Sequence, residues 1–194
     1  MPDVVLTARS TADVVEELSA LLAATPAPAA GPVLVAVDGR SGAGKTDLAR
    51  ELARRCEASV VHMDDLYPGW SGLAAAVDLL GTVLDRLRSG AATTHPVWDW
   101  AAGAYTGEVG LPRSGIVVVE GVGAGCARPV DLLVWLEADA DVRRDRALTR
   151  DGATFAPHWE DWAAQEAELF SRSTSHPDVV CTSDTAPGGR PTWR

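Results

Sequence analysis

Two hydrophobic patterns alternate along this 194-residue chain. The first is a short, continuous apolar run, which is typical of strands buried on both faces of a parallel sheet. It occurs as VLVAVD (33–38), SVVHMD (59–64), GIVVVEG (115–121), DLLVWLEA (131–138) and DVVCTSD (178–184). These five runs predict five strands.

The second pattern places apolar residues three and four positions apart and predicts helices. One helix is expected to start near Ser10 and to end before the Pro/Ala-rich segment at 25–32. Another follows Lys45, and the remaining predicted segments are 72–90, 139–152 and 157–172, whereas the tail at 185–194 looks irregular. Strands that alternate with helices predict an α/β fold with a mainly parallel five-stranded sheet.

Length and composition narrow the functional class. We expect a single domain over residues 1–194, in which 1–30 form an N-terminal helix and linker. No apolar run reaches the length of a membrane span, and the first ten residues lack the pattern of a secretion signal. Three widely spaced cysteines fit a reducing cytoplasm, and a net charge of −10 argues against non-specific nucleic-acid binding. We therefore expect a cytoplasmic protein without nucleic-acid or membrane partners.

A glycine-rich segment follows the strand at 33–38. Residues 39–46, GRSGAGKT, fit the phosphate-binding pattern G-x-x-x-x-G-K-[ST] in full and are called the P-loop below. Glycines let backbone amides converge on phosphate oxygens, and the following helix contributes its N-terminal dipole. Lys45 would reach the β- and γ-phosphates, and the Thr46 hydroxyl would bind Mg²⁺. The predicted ATP-binding residues are Gly39, Arg40, Ser41, Gly42, Ala43, Gly44, Lys45, Thr46, Asp47 and Arg143.

Lys45 is the only lysine among seventeen basic residues, so a compact ammonium stands where the chain elsewhere uses arginine. A GTPase of the common type would need an N-K-x-D guanine-binding motif, which a chain with no Asn and one Lys cannot contain. A motor ATPase generally needs a longer chain. A small kinase acting on a metabolite is the leading interpretation.

Two carboxylates end predicted strands beside the P-loop, at the sheet edge where such folds bind ligands. Asp64 could accept a proton from an acceptor hydroxyl or bind Mg²⁺, or it could cap a turn with Asp65. Glu120 could support Mg²⁺ through water, or it could be an ordinary acidic residue at a strand end.

An arginine stripe marks the helix predicted at 139–152. Arg143, Arg146 and Arg150 lie on one helical face and could neutralise charge on a transferring phosphoryl group. The alternative is a solvated face paired with neighbouring aspartates, namely Asp139, Asp141, Asp145 and Asp151.

Two aromatic segments allow more than one interpretation. The segment 96–108, PVWDWAAGAYTGE, could form an acceptor pocket around Asp99 or a core plug under a loop. Trp159, Trp162 and Glu166 are spaced 0, +3 and +7, which more often indicates core packing than ligand contact. The four histidines show no zinc-binding spacing.

Taken in order, VAVDGRSGAGKT, HMDDLY, WDW, VVVEG and DADVRRDRALTRD resemble the uridine kinase-like group of P-loop nucleoside and metabolite kinases over roughly residues 33–170. The resemblance implies the three-layer P-loop NTPase sandwich, an arginine-rich lid and following helix at 139–171, and ATP and Mg²⁺ as cofactors. It implies catalytic roles for Lys45, Asp64, Arg146 and Arg150, metal binding by Thr46, Asp64 and Glu120, and acceptor binding by Asp64, Tyr67, Trp98, Asp99 and Trp100.

The sequence departs from the family pattern in the segments that would recognise the acceptor. Trp98 stands where the family usually has tyrosine, no histidine follows Asp99 within a few residues, and the segment 152–166 differs from authentic uridine kinases. The expected function is phosphate transfer from ATP to a nucleoside or nucleoside-like metabolite. A nucleoside monophosphate kinase and a non-catalytic ATP-binding regulator are the alternatives, and the oligomeric state, a dimer included, stays open.

Overall fold

A computed structural model describes the backbone of residues 4–6, 10–184 and 192–193, and the side chains of residues 10–182. The helices in this part of the chain are α1 (Thr11–Ala24), α2 (Lys45–Cys56), α3 (Leu73–Arg88), α4 (Ala140–Phe155) and α5 (Trp159–Arg172). Short 3₁₀ turns at Met63–Asp65 and Ala156–His158 follow β3 and α4.

The strands are β1 (Val4–Leu6), β2 (Val33–Asp38), β3 (Ser59–His62), β4 (Thr93–Asp99), β5 (Ala104–Leu111), β6 (Ile116–Glu120), β7 (Leu132–Glu137), β8 (Val179–Asp184) and β9 (Thr192–Trp193). The main sheet has the order β1-β8-β7-β2-β6-β3, and all of these neighbours are parallel. The five strands predicted from the apolar runs are the adjacent strands β8, β7, β2, β6 and β3 of this sheet, which confirms the α/β fold with a mainly parallel sheet.

Helices cover both faces of the sheet because neighbouring residues of the central strands point to opposite sides. Val35 and Val37 of β2 pack in one core against α1 and α2. Leu34 and Ala36 of the same strand pack in the other core against α3 and α5. The result is the three-layer arrangement expected from the sequence.

Two short strands extend the sheet beyond the predicted five. β1 lies within the predicted N-terminal helix and linker segment and pairs with β8. β9 pairs antiparallel with β8, so the prediction of an irregular tail is wrong at 192–193, while residues 185–191 and 194 lie outside the described residues. Segments of two or three residues carry no periodicity, and only the partner strand reveals them.

β4 and β5 form a separate antiparallel hairpin that the sequence did not predict. A register shift lies between Val97 and Trp98, and β5 is exposed from Ala104 to Gly110. A strand without a buried face lacks the alternation on which such predictions depend. The hairpin lies near the 3₁₀ turn that carries Asp64.

No helix within the described ranges is long and apolar enough to cross a membrane.

Candidate active site

The P-loop connects β2 to α2, and its backbone depends on glycine. Gly39, Gly42 and Gly44 have φ angles of 142°, 81° and 97°, which L-residues rarely adopt. A Cβ on Gly42 would also overlap the carbonyl oxygen of Arg143, because α4 packs directly against the loop. The glycine pattern therefore serves both the turn and the close approach of α4.

Lys45 is the first residue of α2 and is only 8% exposed. Its Nζ donates a hydrogen bond to the Arg40 carbonyl oxygen at 3.0 Å, which curls the side chain back over the loop. Burial lowers the pKa of Lys45, while the charges of Glu120, Glu166, Asp38 and Asp64 act in the opposite direction. The ammonium is thus held within a ring of carboxylates at the place where the motif puts phosphate.

Asp38, the last residue of β2, ties two loops together. Its Oδ1 accepts from the amides of Gly39 and Gly123 at 2.7 and 2.9 Å, and its Oδ2 accepts from Gly125 at 2.8 Å. Burial raises the pKa of this carboxyl to about 6, although the three amide bonds and the Lys45 charge lower it. The sequence did not single out Asp38, even though it directly precedes the motif.

Glu120 lies at the centre of a polar cluster at the carboxyl end of the sheet. It is 3% exposed, and the Thr46 hydroxyl donates to its Oε2 and Oε1 at 3.1 and 3.2 Å. His62 is the register partner of Glu120, and its Nδ1 lies 2.6 Å from Glu120 Oε1. This hydrogen bond raises the pKa of His62. Sequence reasoning missed His62 because it examined the histidines for zinc spacing only.

Asp64 lies on the 3₁₀ turn after β3 and faces the same space. Surrounding protein and the nearby Glu120 charge raise the pKa of its carboxyl, and Arg150, Lys45 and His62 oppose that shift. A carboxylate with a raised pKa beside a P-loop is suited to accept a proton.

The donor set fits Mg²⁺. The Thr46 hydroxyl and the carboxylates of Glu120 and Asp64 are hard oxygen ligands, and Mg²⁺ is commonly held by one or two protein groups together with phosphate and water. Within the described ranges no cluster of three or more His, Cys, Asp or Glu side chains could hold a metal by itself. The arrangement therefore suits a cation that arrives with a phosphate ligand.

These groups line a cleft of about 680 Å³. One wall carries Lys45, Thr46, Asp64, Glu120 and Arg150. Five aromatic residues of the same lining are called the aromatic wall below, namely Tyr67, Trp70, Trp100, Phe155 and Trp162. The cleft thus joins a phosphate-binding end to a surface suited to flat rings.

Trp70 is the centre of the aromatic wall. Its ring stacks on His158 and Phe155 at centroid distances of 4.5 and 5.2 Å, and Trp100 is tilted against it at 4.7 Å. Trp100 lies in the turn of the hairpin, Phe155 is the last residue of α4, and His158 belongs to the 3₁₀ turn that follows α4. No motif in the sequence marked Trp70 as a site residue, and only its nearness to Asp64 in the chain pointed to it.

Comparison with known proteins places the chain in a family. No family model matches it. It is 36% identical over 125 residues to a cytidylate kinase of Pyrobaculum neutrophilum, covering 63% of each chain. It is 30% identical over 152 residues to the cytidylate kinase of Pyrobaculum calidifontis, covering 72% of this chain and 70% of that one. A uridine kinase of Brevibacillus brevis is 28% identical over 142 residues, covering 62% and 66%. The chain belongs to the uridine kinase-like group of P-loop kinases.

The chain spans just under two thirds of the length of two of these relatives, 63% of the P. neutrophilum protein and 66% of the B. brevis protein. Among solved structures, a possible uridine kinase from Bacillus stearothermophilus superposes with a TM-score of 0.56 at 24% identity, covering 87% of this chain and 97% of that one. This likeness supports the fold.

The acceptor motif predicted for this uridine kinase-like chain is only partly in the cleft. Trp100 lines the wall and its Nε1 donates to the Asp64 carbonyl oxygen at 3.1 Å. Trp98 instead packs edge-on against Tyr105 in the hairpin, and Asp99 Oδ1 accepts the amides of Ala101 and Ala102 as a turn cap. Neither lines the described cleft, so an acceptor role for Trp98 and Asp99 stays a prediction.

Tyr67, also predicted to bind the acceptor, lines the cleft but is almost fully buried. Its hydroxyl donates to the Val122 carbonyl oxygen at 2.9 Å. Its ring packs edge-on against Trp162, so an acceptor role for Tyr67 also stays a prediction.

The predicted lid arginines lie in different places. Arg143 is buried and donates to the carbonyl oxygens of Ala138 and Ser41 at 3.0 and 3.3 Å, so it braces the P-loop. Arg150 lines the cleft and also pairs with Asp151 at 2.6 Å. Arg146 is half-buried, and burial lowers its pKa. Arg150 thus lines the cleft, as a role in neutralising phosphate requires, and it also pairs with an aspartate, as the alternative interpretation predicted.

The helix after the lid contributes core packing, as its spacing indicated. Trp159 and Trp162 are buried in the core between α3, α5 and the sheet. Glu166 is buried as well, but its carboxylate reaches the P-loop, where Oε1 accepts the Ser41 amide at 2.8 Å. That contact was not foreseen.

Proposed function

We propose that this chain is an ATP- and Mg²⁺-dependent kinase that transfers the γ-phosphate to a hydroxyl group of a nucleoside or nucleoside-like metabolite. The observation that carries the proposal is the single cleft that joins Lys45, Thr46 and Glu120 to Asp64. A P-loop alone would also fit a passive nucleotide binder, whereas a carboxylate with a raised pKa at its edge favours transfer.

The chain's own groups suggest a sequence of roles. P-loop amides and Lys45 bind the triphosphate, and Thr46, Glu120 and Asp64 would hold Mg²⁺, which supplies charge neutralisation when bound. Asp64 orients the acceptor hydroxyl and accepts its proton as the new O–P bond forms and the bond to ADP breaks. Arg150 faces the same space and stabilises the charge on the phosphoryl oxygens.

The aromatic wall supports a flat acceptor. Indole faces stack on heterocyclic rings, and Trp100, which is 40% exposed, lies within the same cleft as Asp64. The names of the relatives point to the same chemical class, since they are uridine and cytidylate kinases.

A nucleoside monophosphate is the second candidate acceptor. Two relatives that cover more than two thirds of the chain at 30% identity are named cytidylate kinases, and Arg150 in the cleft wall offers a partner for an acceptor phosphate. A monophosphate acceptor would need a cationic partner for its own phosphate in addition, whereas a nucleoside would not.

The cytoplasm is the proposed location, in keeping with three free cysteines. A net charge of −10 favours small-molecule partners over nucleic acid.

ADP release with Mg·ATP, measured against nucleosides, nucleoside monophosphates, vitamins and sugar alcohols, tests the proposal. Stimulation by a nucleoside supports it, and stimulation by a monophosphate alone selects the second candidate. ATP binding without stimulation by any acceptor would identify a non-catalytic regulator instead. Lys45→Ala is the background control and is expected to release no ADP.

A further inference from the structure

Glu166 is a buried carboxylate with no role in the mechanism above. It lies on α5, is 2% exposed, and its Oε1 accepts the backbone amide of Ser41 at 2.8 Å. Its Oε2 lies 3.6 Å from Nη1 of Arg40. Both contacts are with the P-loop, which precedes Glu166 by more than a hundred residues in sequence.

A buried carboxylate is costly unless it is paired and hydrogen-bonded. The described hydrogen bond and ion pair of Glu166 both go to residues 40–41. Its charge also favours the ammonium form of Lys45. The fold therefore places this negative charge against the loop that binds phosphate, on the α5 side.

The same helix also holds the aromatic wall. Trp162, one turn before Glu166, packs edge-on against Tyr67 at a centroid distance of 4.9 Å. Gln165 donates from its Nε2 to the Trp70 carbonyl oxygen at 2.8 Å. One helix thus contacts both ends of the cleft within two turns.

We propose that Glu166 is a positioning residue, which holds the P-loop in its phosphate-binding conformation from the α5 side. α5 then sets the P-loop and the aromatic wall relative to each other. The consequence for ATP rests on the proposed function, whereas the anchoring of the loop does not.

Glu168 provides a matched control on the same helix. It is exposed, and its ion pair is with Arg172, one turn along α5. Replacing Glu168 with alanine removes the same chemical group without touching the P-loop.

Two measurements on Glu166→Ala, Glu166→Gln and Glu168→Ala test the proposal. Hydrogen exchange followed by mass spectrometry reports the peptide covering 39–46 in the ligand-free protein, and calorimetry reports the Kd for ATP with Mg²⁺. Losing a charge-assisted hydrogen bond should speed loop exchange and raise the Kd about tenfold in Glu166→Ala. Glu166→Gln keeps an oxygen for Ser41 but loses the charge, so about a threefold change is expected. Glu168→Ala should match the wild type.

Faster exchange confined to 39–46 supports positioning. Acceleration spread evenly over the whole protein would mean that Glu166 only stabilises the core, and this would overturn the proposal. If Glu166→Ala does not fold, Glu166→Gln decides, and wild-type loop exchange in that variant would overturn it too. A wild-type protein that fails to bind ATP would reject the proposed function, while the exchange result would still decide the anchoring.

Discussion

Asp64 and Asp65 are adjacent in the chain but have different surroundings. Asp64 faces the cleft beside Glu120 and Lys45, whereas Asp65 does not line it. If Asp64 is the base, Asp64→Asn should keep ATP binding and lower kcat by about 10²–10⁴-fold. Asp65→Asn is the control and should retain activity close to that of the wild type. Normal transfer by Asp64→Asn, measured as ADP release with the identified acceptor, would remove Asp64 from this role.

The pH dependence of that reaction has a defined direction. Burial and the Glu120 charge raise the pKa of Asp64 above its usual 3.8. A base must be ionised, so kcat/KM, which reports the free enzyme before Mg²⁺ and ATP bind, should fall on acidification at a higher pH than an ordinary aspartate would give.

Asp38 should make the free energy of unfolding depend on pH. Its pKa rises from 3.8 to about 6 in the fold, so the protonated form is favoured there, and this contribution is lost as the pH rises through 6. Between pH 4 and 7 the free energy of unfolding of the wild type, minus that of Asp38→Asn, should fall by about 2 kcal/mol. Urea unfolding of both proteins across this range measures the difference. A difference that is constant or rises with pH would contradict the assignment.

Local motifs in the sequence identified the residues that form one wall of the cleft. Lys45 and Thr46 came from the P-loop pattern, and Asp64 and Glu120 came from their places at strand ends; the structure brings all four together. Glu166 could not be predicted in the same way, because its contact joins positions 125 residues apart. Only the tertiary fold shows such a pair.

At the scale of elements, the contact between the P-loop and α4 depends on Gly42. Its φ is 81°, and a Cβ would overlap the Arg143 carbonyl oxygen. Gly42→Ala should therefore lower the free energy of unfolding by about 1–3 kcal/mol and weaken ATP binding. Denaturant unfolding and calorimetric titration with Mg·ATP measure the two effects.

Gly81 is the matched control for that substitution. It lies inside α3, and a Cβ there would meet no atom within 4 Å. Gly81→Ala should stabilise the protein by about 0.5–1 kcal/mol, because alanine is the better helix former. Equal losses in both variants would mean that the contact with α4 is not the cause.

The elements that could be predicted are those with a buried face. Strands β2, β3, β6, β7 and β8 carry continuous apolar runs, helices α1 to α5 carry helical apolar spacing, and all of these elements were predicted. The β4–β5 hairpin was missed, because β5 has almost no buried residue. The aromatic segment 96–108 is not a core plug, because its residues are half-buried or exposed. Of its WDW triplet only Trp100 lines the described cleft, and an acceptor pocket around Asp99 stays a prediction.

At the scale of the whole molecule, distant segments share the cleft. The P-loop, the turn after β3, the end of β6 and the α4–α5 region all contribute to its walls. A ligand that contacts all of them should stabilise the whole fold by mass action, by about 2.7 kcal/mol at a hundredfold excess over Kd. For a protein of this size that corresponds to a Tm increase of about 5–10 °C.

Thermal unfolding with and without Mg·ATP measures this increase. Lys45→Ala should show a much smaller shift at the same nucleotide concentration, because it lacks the ammonium proposed to contact phosphate. An equal shift in both proteins would indicate that ATP binds elsewhere.

Lys45 also carries the one ε-amine in the 194-residue chain, and the fold keeps it inside the cleft. Because burial lowers its pKa, more of this amine is unprotonated at neutral pH than in an exposed lysine. Acylating reagents carried by a nucleotide would therefore have a single lysine to modify. The fraction of molecules labelled would then equal the fraction of nucleotide sites that are occupied.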